Sequence, residues 1–173
     1  VAALGFGNPF AGTLHKKREM RRDAVETRTA LDDEFQIRLF STPVWHGCLS
    51  ARRRTKPGPR IIRDALFWLP LLAAFQGLRL TEALQLFVED IVPAHGTHWI
   101  CVRRGRGRRV KTEAGLREVP IHPEIQRIGF LDYVASQRAA EQLRLFPAYA
   151  PTADAFAHAD RFSKTFGYYR RAV

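Results

Sequence analysis

One arginine in this chain stands where it could bind a phosphate group. Arg79 lies in the segment Gly77-Leu-Arg-Leu-Thr-Glu82, at an expected sharp turn between two helices, with apolar residues on both sides. A guanidinium grips phosphate oxygens through two parallel N–H groups, which suits arginine to this chemistry. Glu82, three residues later, can reach back and orient the guanidinium. The same spacing is also typical of a buried Arg–Glu pair that only holds two helices together.

A lysine at a turn is the second candidate functional residue. Lys111 is expected at the tip of a small β-hairpin, and it is one of only five lysines among 28 basic residues. The alternative for Lys111 is an ordinary solvated turn lysine.

The overall charge favours a polyanionic partner. The 173 residues carry a formal net charge of +11, and such a surplus is typical of chains that bind nucleic acid or an acidic membrane face. Two arginine-rich segments are candidates for contacts with DNA phosphates, with plain solvation as the alternative. They are Arg52, Arg53 and Arg54, and Arg106, Arg108 and Arg109.

Other chemistries find little support in the sequence. No apolar run reaches about 18 residues and no secretory leader is visible, so a cytoplasmic, DNA-associated protein is expected. Cys48 and Cys101 are too few for a disulfide framework and are expected to be reduced thiols. His95 and His98 have the spacing of a metal pair, but Cys101 is the nearest further donor, so no metal site is expected.

The elements that would position Arg79 and Lys111 are mainly helical. Apolar residues cover most of the circumference of residues 60–76, which predicts a central buried helix that ends at Gly77 in the left-handed conformation. Thr81 is expected to cap a short helix that follows. Further helices are expected at residues 31–40 and 123–142, and from Asp160 to the end of the chain.

The remaining segments predict a small sheet. Residues 98–103, 108–111 and 117–121 are β-prone and are separated by turns at 105–107 and 112–115, which is typical of a three-stranded antiparallel meander. Residues 46–59 are expected to form a loop. The predicted fold class is therefore α+β, mainly helical, with a basic arm at residues 1–30 and one domain at residues 31–173.

Three segments, in this order, resemble the catalytic domain of the tyrosine recombinases, the phage integrase family. They are Trp68 to Leu86, Val88 to Ile91, and Val110 to Glu124. Within them the element Gly-Leu-Arg-x-x-Glu is followed about thirty residues later by Lys-Thr…Arg-x-Val-Pro-x-His. The similarity extends from about Asp32 to the end of the chain.

The resemblance implies a role for each candidate residue. Arg79 matches the family's first catalytic arginine, which binds the non-bridging oxygens of the scissile phosphate. Lys111 matches the lysine between the second and third strands, which protonates the leaving 5′-oxygen, and Glu82 matches the acidic residue that supports the arginine. These implied roles agree with the chemistry, because an ammonium group can donate a proton to an alkoxide and fixed cations stabilise the negative charge of phosphodiester cleavage. The implied partner is double-stranded DNA, with the full-length protein acting as an oligomer on it, without metal or cofactor. Residues 1–30 would then lead back to a core-binding domain.

The resemblance is incomplete at the end of the chain. The family completes its site with a His-x-x-Arg pair and a tyrosine that forms a 3′-phosphotyrosine. His158 and Arg161 have the bare spacing but lack the apolar and small residues around the motif, and Tyr168 and Tyr169 are expected to be packing residues. The chain is therefore expected to be a fragment of a recombinase that binds DNA without cleaving it. Two other possibilities are a non-catalytic DNA-binding module derived from an integrase and, with less support, an RNA-binding protein.

Overall fold

The computed structural model describes residues 33–110, 113–150 and 157–173 of the chain. About 52% of these residues are helical, and the strands form one two-stranded and one three-stranded antiparallel sheet. The predicted α+β class with a small three-stranded sheet is thus confirmed. The chain separates into a unit of residues 1–36 and a unit of residues 37–173. The arm expected at residues 1–30 lies outside the described residues.

The described residues form short helices and strands. In chain order the helices are α1 (Asp33–Phe40), α2 (Pro43–His46), α3 (Ala65–Gln76), α4 (Leu80–Leu84), α5 (Pro123–Arg127), α6 (Phe130–Ala139) and α7 (Ala157–Ala172). The strands are β1 (Cys48–Ser50), β2 (Arg53–Pro57), β3 (Ile91–Ala94), β4 (Thr97–Val102) and β5 (Arg117–Pro120). Single 3₁₀ turns occur at Val88–Asp90, Glu113–Gly115 and Pro147–Tyr149.

Helix α3 is the centre of the core, as predicted. Trp68 and Leu72 are fully buried, and Trp68 packs edge-on against Phe130 of α6 with 5.1 Å between the ring centroids. The helix begins at Ala65 rather than at residue 60, because Asp64 caps it by accepting a hydrogen bond from the Phe67 N–H at 3.2 Å. Its predicted end at Gly77 is confirmed, with a left-handed backbone at φ +60° and ψ 24°.

The three-stranded sheet lacks the predicted middle strand and has an unpredicted strand at its edge. Its order is β3-β4-β5, with Ile100 of the central strand opposite Ile91 on one side and Val119 on the other. Residues 108–110, expected as a strand, are not one, while the missed strand β3 contains Pro93. A proline lacks the N–H that a central strand must donate, but the edge position of β3 accommodates it.

Two further segments differ from expectation. Residues 46–59 are not only a loop, because β1 and β2 form a hairpin there. The single helix expected at 123–142 is divided into α5 and α6, since Gly129 adopts a φ of +93° between them. The expectation that Thr81 caps the next helix is wrong, because α4 begins at Leu80 with Arg79 as its N-cap and Thr81 lies within the helix.

Helix α7 carries the apolar face that the sequence predicts. Phe162 and Tyr169 are buried and Phe166 is half-buried, and the Tyr169 hydroxyl donates to Thr42 Oγ1 at 2.6 Å. The expectation that Tyr168 also packs is wrong, because its side chain is 68% exposed. Adjacent residues of a helix point about 100° apart, so a helix that buries Tyr169 turns Tyr168 outward.

Candidate phosphate-binding site

The turn between α3 and α4 presents Arg79. Gly77 ends α3, Leu78 turns into the core, and Arg79 precedes α4 with an extended backbone at φ −68° and ψ 147°. The Glu82 side chain extends back toward the first residue of α4 and accepts a hydrogen bond from the Arg79 backbone N–H at 3.0 Å. This bond satisfies one of the N–H groups that the start of a helix leaves without a partner.

The side chains of Arg79 and Glu82 form an ion pair with very unequal exposure. Arg79 Nη1 lies 2.6 Å from Glu82 Oε1, and the arginine side chain is 57% exposed while the glutamate side chain is 3% exposed. The carboxylate is therefore inside the fold and the guanidinium is at its surface. This geometry does not fit a buried pair that only joins two helices, which was the alternative reading of the spacing.

A second arginine on the same carboxylate was missed in the sequence. Arg117, at the start of β5, places Nη2 2.9 Å from Glu82 Oε2. Its guanidinium also donates to the carbonyl oxygens of Gly77 at 3.3 Å and Gly115 at 3.2 Å. No local spacing signals this contact, because Arg117 follows Glu82 by 35 residues.

The electrostatics of the site centre on the Glu82 carboxylate. Burial raises the pKa of Glu82, but the hydrogen bonds from the Arg117 side chain and from the backbone and side chain of Arg79 outweigh this, and the net pKa lies below its ordinary value of 4.5. Two guanidinium groups around one ionised carboxylate leave a local charge of about +1, which suits a site that binds an anion.

The lowered pKa of Glu82 predicts a specific loss of stability in acid. A carboxyl whose pKa is lower in the folded than in the unfolded chain stabilises the fold above its ordinary pKa, and that contribution is lost as the pH falls through the folded value. We expect Glu82→Gln to lower the free energy of unfolding at neutral pH, and we expect the difference from the wild type to shrink below about pH 4.5. Urea unfolding at neutral and acid pH measures both.

A surface carboxyl provides the control for this prediction. Glu124 forms an exposed pair with Arg127 three residues later, so Glu124→Gln should have a small effect on stability, as exposed pairs usually do. A difference between wild type and Glu82→Gln that stays constant across the pH range would contradict the lowered pKa of Glu82.

Part of the connection between β4 and β5 lies next to the Arg79–Glu82 pair. A Cβ atom added to Gly115 would lie 3.8 Å from Arg79 Nη1, 3.8 Å from Glu82 Oε1, and only 2.3 Å from Val110 Cγ1. Glycine at position 115 thus leaves room for the Val110 side chain, and the connection lies at ordinary contact distance from the pair. Val110 and Gly115 flank Lys111 in the sequence, while Lys111 itself lies outside the described residues.

The arginines of the 106–109 segment occupy different environments. Arg108 is 8% exposed and hydrogen-bonds to Asp90, which is fully buried. Its guanidinium carbon lies 4.5 Å from the centre of the Phe87 ring. Arg108 therefore does not fit the expected role of a surface contact with DNA. Arg106 is 60% exposed and pairs with Glu89, and the side chain of Arg109 is exposed.

The arginines of the Arg52–Arg54 segment also differ in their exposure to solvent. Arg52 and Arg53 are exposed on the β1–β2 hairpin. Arg54 is buried, with Nη1 2.6 Å from Asp64 Oδ2 and Nη2 3.0 Å from the Ile62 carbonyl oxygen. Because Arg54 fixes the residue that caps α3, its role is within the fold and not in a DNA contact.

The other candidates from the sequence take no part in this site. Cys48 and Cys101 are both buried without a disulfide, and burial raises the pKa of the Cys101 thiol. In the described parts of the chain, no group of three or more His, Cys, Asp or Glu side chains could hold a metal ion, and no helix is long and apolar enough to cross a membrane.

Comparisons of this chain with known proteins reveal no relative. No family model, no curated protein and no solved structure matches the chain.

Proposed function

We propose that this chain binds the backbone of double-stranded DNA and supplies part of the site with which a tyrosine recombinase cleaves and rejoins DNA strands. Arg79 binds the non-bridging oxygens of the scissile phosphate, and Glu82 supports it. Lys111 gives a proton to the leaving 5′-oxygen while a tyrosine forms a 3′-phosphotyrosine. The chain by itself binds DNA without cleaving it.

The observation that carries this proposal is the fixed and exposed guanidinium of Arg79. Its Nη1 is held by a buried carboxylate, and more than half of the side chain faces solvent. A guanidinium has five N–H groups, so those not directed at Glu82 remain for an incoming phosphate. A cation that is already oriented stabilises developing negative charge without reorganising during the reaction.

The charge around Arg79 supports a long polyanion as the ligand. The connection between β4 and β5, which returns to Arg79, carries several exposed arginines. They are Arg103, Arg104, Arg106 and Arg109. A single phosphate would need only one guanidinium, whereas several exposed arginines on one connection can contact successive phosphates of a nucleic acid backbone. Two of them, Arg104 and Arg106, also pair with Glu113 and Glu89.

The tyrosines of the chain favour binding without cleavage. Tyr133 donates its hydroxyl proton to the Leu145 carbonyl oxygen at 2.7 Å, Tyr169 is buried, and Tyr149 packs edge-on against Phe162. Tyr168 is exposed on α7, beside the guanidinium of Arg171. The engagement of Tyr133, Tyr149 and Tyr169 within the fold favours the second candidate function, a DNA-binding module without a nucleophile of its own, and leaves Tyr168 as the tyrosine to test.

Salt-dependent binding tests the proposed function. We expect the wild-type chain to bind a short duplex DNA, with log K falling linearly with log salt between about 50 and 200 mM and a slope of about −0.9 for each phosphate contact. Fluorescence anisotropy with labelled duplex DNA, single-stranded DNA and RNA of one sequence measures this. Tighter binding to single-stranded RNA at equal salt supports the RNA-binding alternative, and salt-independent or absent binding contradicts the proposal.

Denaturing electrophoresis of the same mixtures tests for covalent attachment. We expect no protein–DNA adduct from the wild-type chain with a nicked duplex. An adduct that is lost in Tyr168→Phe would place the nucleophile in this chain and contradict the proposal that the chain alone binds DNA without cleaving it.

A further inference from the structure

Arg79 and Arg117 share the Glu82 carboxylate but bind it from different sides. Arg79 contacts Oε1 at 2.6 Å and Arg117 contacts Oε2 at 2.9 Å. Both carboxylate oxygens therefore have a guanidinium partner, in addition to the Arg79 backbone N–H that reaches Oε2 at 3.0 Å. Three donors from two residues therefore bind the two oxygens of this carboxylate.

The two guanidinium groups differ in how many of their N–H groups remain available to a ligand. Arg117 Nη1 donates to the Gly115 carbonyl oxygen, and Arg117 Nη2 donates to both Gly77 and Glu82. Its side chain is 29% exposed, about half the value for Arg79. Both terminal nitrogens of Arg117 are thus directed at protein acceptors, whereas Arg79 uses Nη1 for Glu82 and turns outward.

The acceptors of Arg117 lie on two separate segments next to Arg79. Gly77 belongs to the turn that precedes Arg79, and Gly115 ends the connection that leads into β5. One guanidinium therefore joins this turn, this connection and the buried carboxylate. Such a planar group with fixed donors is suited to hold three acceptors at once, which the single nitrogen of a lysine does less well.

We propose that Arg117 is a positioning residue for phosphate binding: it holds the Glu82 carboxylate where that group orients the Arg79 guanidinium, and Arg117 itself does not contact the DNA. This inference rests on the function proposed above, because it gives Arg79 the phosphate. Without Arg117, the buried carboxylate loses a charged partner and the Arg79 side chain gains rotational freedom. Ordering that side chain again costs free energy on binding, and we expect this cost to prevent the contact with the phosphate.

The salt dependence of DNA binding tests this proposal. We expect Arg79→Met to reduce the slope of log K against log salt by about 0.9, the value for one phosphate contact. Arg117→Met should give the same reduction although it removes a different side chain. The double variant should not reduce the slope further, because both changes remove the one contact. Arg127→Met, which removes an exposed arginine from a similar pair with Glu124, is the charge-matched control.

Two results would overturn the positioning role. A double variant that loses about twice the slope of either single variant would show that Arg117 binds a phosphate of its own. An unchanged slope in Arg117→Met would show that Arg79 does not depend on it. Circular dichroism establishes that the variants are folded, and if Arg117→Met is not, Arg117→Lys takes its place, with a smaller loss of slope expected because one nitrogen still reaches Glu82.

A measurement without DNA separates this proposal from the proposed function. The side-chain NMR signals of Arg79, identified by their loss in Arg79→Lys, report how fast its guanidinium rotates. We expect slow rotation in the wild type and at least severalfold faster rotation in Arg117→Met, with the Arg127→Met control unchanged. Equal rotation in wild type and Arg117→Met overturns the positioning role. If the chain binds no DNA but the Arg79 guanidinium rotates slowly in the wild type and faster in Arg117→Met, the proposed function is overturned while Arg117 is still shown to hold Arg79 in place.

Discussion

Replacing Arg108 by alanine is expected to lower the free energy of unfolding by about 3–5 kcal/mol, the range for breaking a buried ion pair by removing one partner. Asp90 is fully buried, and Arg108 is its hydrogen-bonded cation. The Asp90 carboxylate also accepts the backbone N–H of Phe87 at 2.9 Å, so it is held in place when the guanidinium is gone. The variant therefore leaves a buried negative charge without the cation that hydrogen-bonds to it.

Arg106 gives a matched control for Arg108. It belongs to the same turn, pairs with Glu89 and lies over the same Phe87 ring, but both members of its pair are exposed. We expect Arg106→Ala to cost about 0–1 kcal/mol, because solvent screens an exposed pair. Urea unfolding at neutral pH compares the two variants, and a loss for Arg108→Ala no greater than for Arg106→Ala would contradict the buried pair.

A second substitution tests the cause of the loss. Asn in place of Asp90 keeps an oxygen for the Phe87 N–H but carries no charge. We expect Asp90→Asn to destabilise the wild type and to stabilise the Arg108→Ala variant. This reversal of sign is expected only if the cost of Arg108→Ala comes from an unpaired charge, and not from lost packing against Phe87.

The sequence predicted the site only where its contacts are local. Arg79 and Glu82 are three residues apart across one helix start, so their pairing follows from helix geometry. Arg117 and Arg108 meet their acidic partners, Glu82 and Asp90, across separations of 35 and 18 residues. Those contacts depend on how the connection between β4 and β5 returns to the helices, which no spacing in the chain specifies.

In the rest of the fold, too, the features that depend on local signals were predictable and those that depend on distant contacts were not. Helix α3 was predictable because it is apolar on all sides and ends at a glycine, and both signals are local. The buried arginines were not, since a run such as Arg52-Arg53-Arg54 has the same charge whether its members face solvent or an internal acid. Arg54 is inside because Asp64 lies opposite it, whereas its two neighbours are exposed. Charge patterns alone therefore overestimate the surface available for DNA.

Arg79→Ala is expected to slow DNA strand cleavage at least about 100-fold in a recombinase that carries this chain, as loss of one donor to a developing oxyanion does. Phosphodiester cleavage concentrates negative charge on the phosphate oxygens, and Arg79 is the exposed cation that the fold has already oriented by means of Glu82. Lysine at this position restores the charge but not the paired N–H groups, so Arg79→Lys should recover binding to DNA better than cleavage.

The chain alone allows a test of the binding half of this prediction. Arg79→Ala should reduce the slope of log K against log salt for duplex DNA by about 0.9, while Arg127→Ala should leave the slope unchanged. The two arginines are matched, because each is exposed and each pairs with a glutamate three residues away. They differ in the burial of that glutamate, since Glu82 is enclosed and held by Arg117 whereas Glu124 lies at the surface. If the two variants lose the same slope, the net charge of the chain accounts for DNA binding, and the fixed guanidinium has no special role in it.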